Sequence, residues 1–439
     1  MKKRVYLWVM LYCFPMLGVI AQQNRTLSLE EALSISYEKN STISIAFEDL
    51  NAAIADYKTT NAIFMPQVSI AENYIYTNNP MQVFGINLQQ TSITEADFAP
   101  STLNNPNATD NWNTEFSVQM PLFNLDKIYE RKAARSAMNA KSASLQRTYD
   151  HISFEVKKAY YALQLASERV DVARKSVETT ASSLRVISSM KREGLVTQAD
   201  LSLTKVHELK AKNQLIGAES NLRKANRYLV FLLRLDEGTQ IIPSDKIGQI
   251  QEEKVQPNLM ISSTRPDLMA QRHYVDALHY RVNQNKASWI PSLNAMGSYY
   301  LNSPEMFSGA SSSYLVGVSL RWNLFEGGIK WNQNKKSKAQ YKRAQTQLVQ
   351  MEEKANMELH NTLDQIKVFE QQVKIMYEAF LQSQETYSIK YNRYSEGLEK
   401  TNDLLTYQTE MEQMQWRYLQ ARYQYALANF QLELILKTK

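Results

Sequence analysis

Two hydrophobic periods alternate along this chain. From residue 152, the positions Ile152, Val156, Ala159, Leu163, Ala166, Val170, Ala173, Val177, Thr180, Leu184 and Ile187 step by four and three residues. Leu359, Thr362, Ile366, Phe369, Val373, Met376, Phe380, Ser383 and Tyr387 keep the same rhythm. A repeat of about 3.5 residues held this long is the coiled-coil period rather than the globular one. One helix over 126–193 would be about 100 Å long at about 1.5 Å per residue, more than a compact domain holds. Elsewhere the period is two. Residues 113–122 put Phe116, Val118, Met120 and Leu122 on one face, and 314–324 do so with Tyr314, Val316, Val318, Leu320, Trp322 and Leu324. Residues 67–77 offer Val68, Ile70, Tyr74 and Tyr76, interrupted by Glu72, and 292–301 offer Leu293, Ala295, Tyr299 and Leu301. Very long helices and four strands are predicted.

The plan is written twice. Pro66 in Phe64-Met65-Pro66 corresponds to Pro291 in Trp289-Ile290-Pro291, and Leu122-Phe123 to Leu324-Phe325. Glu193-Gly194-Leu195 with Asp200-Leu201 corresponds to Glu396-Gly397-Leu398 with Asp403-Leu404. The offsets are 225, 202 and 203 residues, so the first copy carries the longer loop between its proline and its Leu-Phe pair. Each copy reads helix, strand, loop, strand, very long helix, turn, helix. The first repeat covers 22–235 with a hairpin at about 66–123, and the second covers 265–439 with a hairpin at about 291–325. Between them, 236–264 hold Gly238, Pro243, Gly248 and Pro257 with no clear period. Ser28 and Glu31 have the capping-box spacing, and their helix is predicted to continue through Ala52-Ala53-Ile54-Ala55 to about Ala62. Thr264-Arg265-Pro266-Asp267 supplies an N-cap, an early proline and a first-turn acid. The loops inside the hairpins, 78–112 and 302–313, are polar and rich in asparagine or serine.

Composition narrows the class. The chain has 439 residues, of which 12 are glycine and 11 proline, too few for a many-turned sandwich or barrel enzyme. Lys2-Lys3-Arg4, the apolar run Val5 to Ile20 and Val19-Ile20-Ala21 read as a signal peptide over 1–21; the alternative is a short membrane anchor. The one cysteine, Cys13, lies in that run behind the bulky Tyr12, which argues against lipidation and leaves the mature chain without thiols. The net charge of +6 falls to about +3 once the leader is removed, which gives no basic footprint for nucleic acid. No other stretch is long and apolar enough for a membrane helix, so any membrane is crossed by strands.

Strands of about ten residues, apolar and aromatic on one face, match the dyad period of outer-membrane barrels. A soluble sheet resting that face on helices has the same pattern. A sheet in lipid tolerates no open edge, and four strands are half of the smallest barrels, which have about eight. The membrane reading therefore requires several chains to share one barrel, three supplying twelve strands.

The residues resemble a family. Leu27-Ser28-Leu29-Glu30-Glu31-Ala32-Leu33, Pro121-Leu122-Phe123, Arg265-Pro266-Asp267-Leu268, Ile290-Pro291-Ser292-Leu293 and Leu324-Phe325-Glu326-Gly327-Gly328, in this order and duplicated, are similar to the TolC-like outer-membrane efflux proteins. The resemblance covers essentially all of 22–439. It implies a mainly α fold with a small β part: a homotrimer whose twelve-stranded outer-membrane β-barrel continues into a twelve-helix periplasmic tunnel. Residues 236–264 and the termini would supply an equatorial girdle. The implied function is a passive exit duct of a Gram-negative bacterium, completing an efflux or type I secretion machine with a periplasmic adaptor and an inner-membrane transporter. The alternative is a periplasmic or surface coiled-coil scaffold with no pore, which has no need of lipid-facing alternation on four strands.

No enzyme is indicated. The five histidines are scattered, neither a Walker loop nor a dinucleotide fingerprint occurs, and no nucleophile stands with a plausible partner; no cofactor or metal is expected. Gly194-Leu195 and Gly397-Leu398 each end a long helix as a closing glycine and turn. The resemblance makes these turns the tips that dock the adaptor. It places Asp403 in a lumen ring that selects cations, with Thr406 where the family has a second aspartate. It also assigns Asp200, Tyr394 and Arg422 to a gate closing the periplasmic end. Two members of that network differ here, Glu399 standing where the family has arginine and Ala199 where it has a hydroxyl. The change at Glu399 puts the linkage around Asp403 in question. From the residues alone, Tyr394 continues the heptad stripe and Arg422 sits on a solvated face.

Overall fold

The computed structural model describes residues 24–245, 260–309 and 311–437; the predicted leader and the middle of the connecting segment lie outside them. In chain order the elements are β1 (Asn24–Leu27), α1 (Leu29–Lys39), α2 (Ser41–Thr59), β2 (Gln67–Thr77), α3 (Pro80–Gln89), α4 (Pro100–Asn104), β3 (Thr109–Phe123) and α5 (Leu125–Arg192). They continue with α6 (Gln198–Leu233), β4 (Gln240–Pro243), α7 (Pro266–Ala287), β5 (Ser292–Ser303), β6 (Ser311–Arg321), α8 (Ile329–Ser395) and α9 (Thr401–Leu436). The contacts divide the described chain into two compact units, one of 24–43, 149–245 and 359–435, the other of 44–148, 260–358 and 436–437.

The second of these units holds the sheet. Its strands are antiparallel throughout, in the order β2-β3-β5-β6. Alternation sorts the side chains into two chemically distinct faces. Ile70 lies opposite Phe116, Phe116 opposite Tyr299, and Tyr299 opposite Tyr314, giving one apolar row across all four strands. Val68, Val118, Gly297 and Val316 make the next row. Much of this face is bare: Val68 is 71% exposed, and Tyr314 and Val316 80% each. The opposite face is polar and cross-linked by side chains. Ser69 and Ser117 hydroxyls are 2.7 Å apart, Ser298 donates to Glu115 at 2.9 Å, and Asn113 to Asn302 at 3.0 Å. Among the described residues the outer edges of β2 and β6 pair with no strand.

Three sequence expectations shift in this unit, the third being the Thr264 cap of α7. The segment predicted as strand to 324 leaves the ladder after Arg321, because the Trp322 indole N–H donates to the Trp289 carbonyl at 3.0 Å and the chain turns through Gly327 and Gly328 at positive φ. The loop at 78–112 contains α3 and α4. Asn79 caps α3 by accepting from the Met81 and Gln82 amides, and Val83 and Ile86 are buried beneath it. At the start of α7 the cap position falls on Arg265, whose side chain makes no cap bond. Its buried guanidinium instead holds the Asp267 carboxylate through two bonds of 2.7 Å. Burial pushes the Asp267 carboxyl up, but those bonds and the Arg147 and Arg265 charges more than offset it and hold the group low. Along α7, Val275 and Leu278 pack against Ala344, Tyr341 and Leu348 of α8.

The other unit is helical, with a core of Tyr160, Leu163, Leu229 and Leu233 around Leu27 and Ile241. The last two belong to β1 and β4, which pair in parallel and so bring the N-terminal segment to the start of the connecting segment. The Asn226 amide closes the free edge of β4, accepting from the Ile241 N–H and donating to the Thr239 carbonyl, both at 2.8 Å. The Tyr160 hydroxyl lies 2.9 Å from both the Leu27 carbonyl and the Asp245 carboxylate; burial pushes its pKa up to about 12. The Ser28–Glu31 capping box opens α1. That helix does not run on to residue 62. Asn40 breaks it, adopting an extended backbone, capping the Thr42 and Ile43 amides with its side-chain oxygen, and donating to the Leu232 carbonyl.

The long helices follow the predicted stripes. From Leu359 to Tyr387 every predicted position of α8 is buried or half-buried. In α5 the stripe drifts after Ala173: Ser176, Thr180 and Ser183 take the enclosed places, with Val177 and Leu184 half-buried beside them. The enclosed positions there carry small hydroxyl side chains, and Thr180 satisfies its own hydroxyl on the Ser176 carbonyl.

Candidate functional site

Both long helices end in the same backbone motif. Gly194 has φ +78° and Gly397 φ +77°. The Leu195 N–H reaches the Met190 carbonyl at 2.9 Å and the Gly194 N–H reaches Lys191 at 3.2 Å. In the second repeat Leu398 reaches Arg393 at 2.9 Å and Gly397 reaches Tyr394 at 3.0 Å. This is the Schellman closure, in which a left-handed residue turns the chain away while its amides satisfy the last carbonyls. The leucines that follow project outward, Leu195 68% and Leu398 61% exposed. Behind them Ile187, Tyr394 and Leu404 form one apolar cluster with Met190, Val196, Leu201 and Tyr387, so the ends of both repeats share a core.

The side chains beyond the turns differ. In the first repeat Thr197 and Asp200 form a capping box: the Asp200 carboxylate accepts from the Thr197 amide at 2.9 Å and hydroxyl at 2.6 Å, and the Asp200 amide donates back at 3.2 Å. The hydroxyl bond, then the backbone bond, hold the Asp200 carboxyl below its usual range. In the second repeat Tyr394 is 6% exposed and its hydroxyl lies 3.2 Å from that of the buried Thr401. Burial pushes the Tyr394 phenol up, and the Asp200 charge acts on it in the same direction. Asp403 sits half-buried in the first turn of α9. Glu399 accepts from Lys390 at 2.9 Å and from Arg393 at 3.3 Å. The acid standing where the family has arginine is thus neutralised locally, and those bonds hold it low.

Of the three residues assigned to a gate, the chain brings two near one another. Tyr394 and Asp200 share the helix-turn region, each bonded to its own threonine. Arg422 stands apart: it lies 21 residues beyond Thr401 on the continuous α9, about 31 Å along the axis at about 1.5 Å per residue. Its guanidinium rests over the Tyr418 ring at 5.5 Å. Sequence reasoning missed Thr401 and the Lys390–Glu399–Arg393 cluster. The pairs lie nine and six residues apart across a turn, outside the spacings that a helix makes neighbours.

A two-faced sheet and duplicated long helices define the class of fold, and the comparisons identify the family. Residues 33–233 and 260–436 match the outer membrane efflux protein family. The chain belongs to that family of transport proteins, which places it in the outer membrane. It is 28% identical over 186 residues to outer membrane protein OprJ of Pseudomonas aeruginosa, covering 40% of this chain and 38% of OprJ. It is 24% identical over 238 residues to the alkaline protease secretion protein AprF of the same species, covering 50% and 47%. The chain thus spans no more than about half the length of these relatives. A membrane protein from Pseudomonas aeruginosa shares the fold, with a TM-score of 0.79 at 18% identity over 93% of each chain. Among the described residues no helix is long and apolar enough to cross a membrane.

Proposed function

We propose that three copies of this chain form a passive exit duct, a twelve-stranded barrel in the outer membrane with a twelve-helix tube. The duct conducts substrates delivered by an inner-membrane transporter through a periplasmic adaptor. The observation that carries this reading is the sheet: apolar and exposed on one face, polar on the other, open at both edges. The outer strands β2 and β6, 11 residues each, match an apolar band about 25 Å tall when tilted about 45°. An open edge in lipid is excluded by its unpaired amides and carbonyls, so further copies must close it. In this reading Leu195 and Leu398 meet the adaptor and Asp403 contributes to cation selection in the lumen. Tyr394, Thr401 and Asp200 hold the periplasmic end shut. A coiled-coil scaffold gives no reason for the bare aromatic face. Planar-bilayer recording of the purified protein tests the duct: discrete conductance steps from a trimer support it, and a monomer or dimer with no conductance sinks it.

A further inference from the structure

One stretch of the second repeat concentrates cations. Between Glu326 and Glu352 lie Lys330, Lys335, Lys336, Lys338, Lys342 and Arg343, and no acid. Three of them, Lys335, Lys338 and Lys342, follow Trp331 at spacings of four, seven and eleven residues, which line them up on one face of α8. All four side chains are exposed. The face turned to α7 is different, holding buried Ser337 and Ala344. Among the described residues no carboxylate lies within 4.0 Å of the Lys335, Lys338 or Lys342 ammonium groups.

Such a stripe repels itself, since like charges at these spacings oppose the helix. Elsewhere some cations of the long helices pair with acids, as in Lys354–Glu358, Lys367–Asp364 and Lys212–Glu208. In the matching stretch of the first repeat several cations have partners, while Lys132 and Arg135 have no carboxylate within 4.0 Å among the described residues. Lys127 pairs with Glu130, Lys141 with Asp49 and Arg147 with Asp267, and Arg131 lies over the Tyr57 ring at 4.6 Å. What sets this stretch of the second repeat apart is the alignment of its unpaired lysines behind an exposed tryptophan.

The stripe begins where the apolar face of the sheet ends. That face closes with Trp322, bonded to the Trp289 carbonyl, and Lys330 lies over the Trp289 ring at 5.6 Å. Lys335 lies over the Trp331 ring at the same distance. Exposed indoles beside lysines are the chemistry of a membrane–water interface: the ring settles at headgroup depth, and the ammonium reaches past it to phosphate. We propose that Lys335, Lys338 and Lys342 with Trp331 bind the phosphate of an anionic phospholipid headgroup at the helix side of the sheet. This rests on the outer-membrane reading of the sheet. Lys330 is not part of the stripe, because its ammonium is already held by the Asn323 carbonyl at 3.1 Å.

The test compares the parent with Lys335→Gln/Lys338→Gln/Lys342→Gln and with the triple Lys→Arg variant. Each is inserted into phosphatidylcholine vesicles with or without phosphatidylglycerol. Lipid retained after mild delipidation is counted by native mass spectrometry. Phosphatidylglycerol is expected to be enriched on the parent, reduced about a hundredfold on the glutamine variant, in line with the loss of three juxtamembrane cations, and retained by the arginine variant. Competition by inorganic phosphate alone, with no lipid enrichment, would make the site one for a free anion and overturn the lipid proposal. Equal enrichment on parent and glutamine variant overturns it outright. So does unchanged lipid binding with altered ion selectivity, which would turn the stripe to the water-filled duct. A parent that inserts into neither vesicle would sink the outer-membrane reading itself, a different failure from insertion without enrichment.

Discussion

The two helix-turn ends share a backbone and differ in nearly every polar contact around it. Gly194 and Gly397 repeat the same φ and the same pair of turn bonds. After the first, an aspartate closes a capping box with a threonine; after the second, a buried threonine meets a tyrosine hydroxyl and a glutamate collects two cations. Duplication preserved what the chain needs to reverse direction and left the side chains free to diverge. The common part suits a shared task at the tips, and the divergent part suits control of what lies behind them.

The largest effect is expected where the ends act alike. Leu195→Asp with Leu398→Asp puts charge on both exposed tips without touching the cluster behind them. Export should fall by more than about tenfold, because an apolar contact loses its burial and gains a carboxylate to desolvate. Trimer yield should be unchanged. Normal export would remove the tips from the docking surface. Next come Gly194→Val and Gly397→Val. Nothing lies within 4 Å of a Cβ at either site, so the cost is conformational, at least about 1–2 kcal/mol for a left-handed residue with a side chain. Chemical denaturation should show equal losses at both positions; unequal losses would break the backbone equivalence.

Much of this was legible in the sequence, and the reasons for the rest are specific. The strands appeared because a period of two survives burial of only one face, and the repeats because Pro66 and Pro291, or Gly194 and Gly397, do jobs few other residues can do. Asn40 was hidden: it interrupts a helical pattern by bonding to the carbonyl of Leu232, which is remote in sequence. The helix at 80–89 sits in an asparagine-rich stretch whose polarity suggests a loop, while Asn79 acts as a cap. At the candidate site the resemblance supplied residue types without reach. It named Arg422, more than five turns along α9 from Thr401, and the acid at Glu399, which put the Asp403 linkage in question, is bound by Lys390 and Arg393. Ion pairs across a turn have no period to reveal them.

The divergent contacts give smaller effects. Thr197→Ala removes both hydroxyl bonds of the capping box and should cost about 1 kcal/mol, read as lost amide protection in the first turn of α6 alone. Thr401→Val keeps the shape but leaves the buried Tyr394 hydroxyl unpaired, at a cost of about 1–3 kcal/mol. Single-channel conductance should rise in that variant and not in Thr197→Ala. The reverse result would move the gate to the first repeat.

The smallest effect separates the two acids by what holds them. Asp200 is held low by hydrogen bonds from the neutral Thr197 hydroxyl and amide. Glu399 is held low first by its bond from Lys390, then by the Lys390 and Arg393 charges. Each folded-state value lies below its ordinary one, so each acid contributes stability that is fully present above the ordinary carboxyl range. That contribution is lost as pH falls through the lowered value. Both ends should therefore lose amide protection in acid, below the ordinary carboxyl range. Salt distinguishes them. At 1 M the screening length is about 3 Å, which weakens the pull of the partly exposed Lys390 and exposed Arg393 on Glu399 and leaves a short neutral-donor bond largely intact. Hydrogen exchange near Leu398 should become less dependent on pH in high salt, while exchange near Thr197 keeps its acid step. Asp200→Asn should abolish the step at the first end only. An acid step at the second end that high salt does not reduce would mean that Glu399 is held by geometry rather than by its cations.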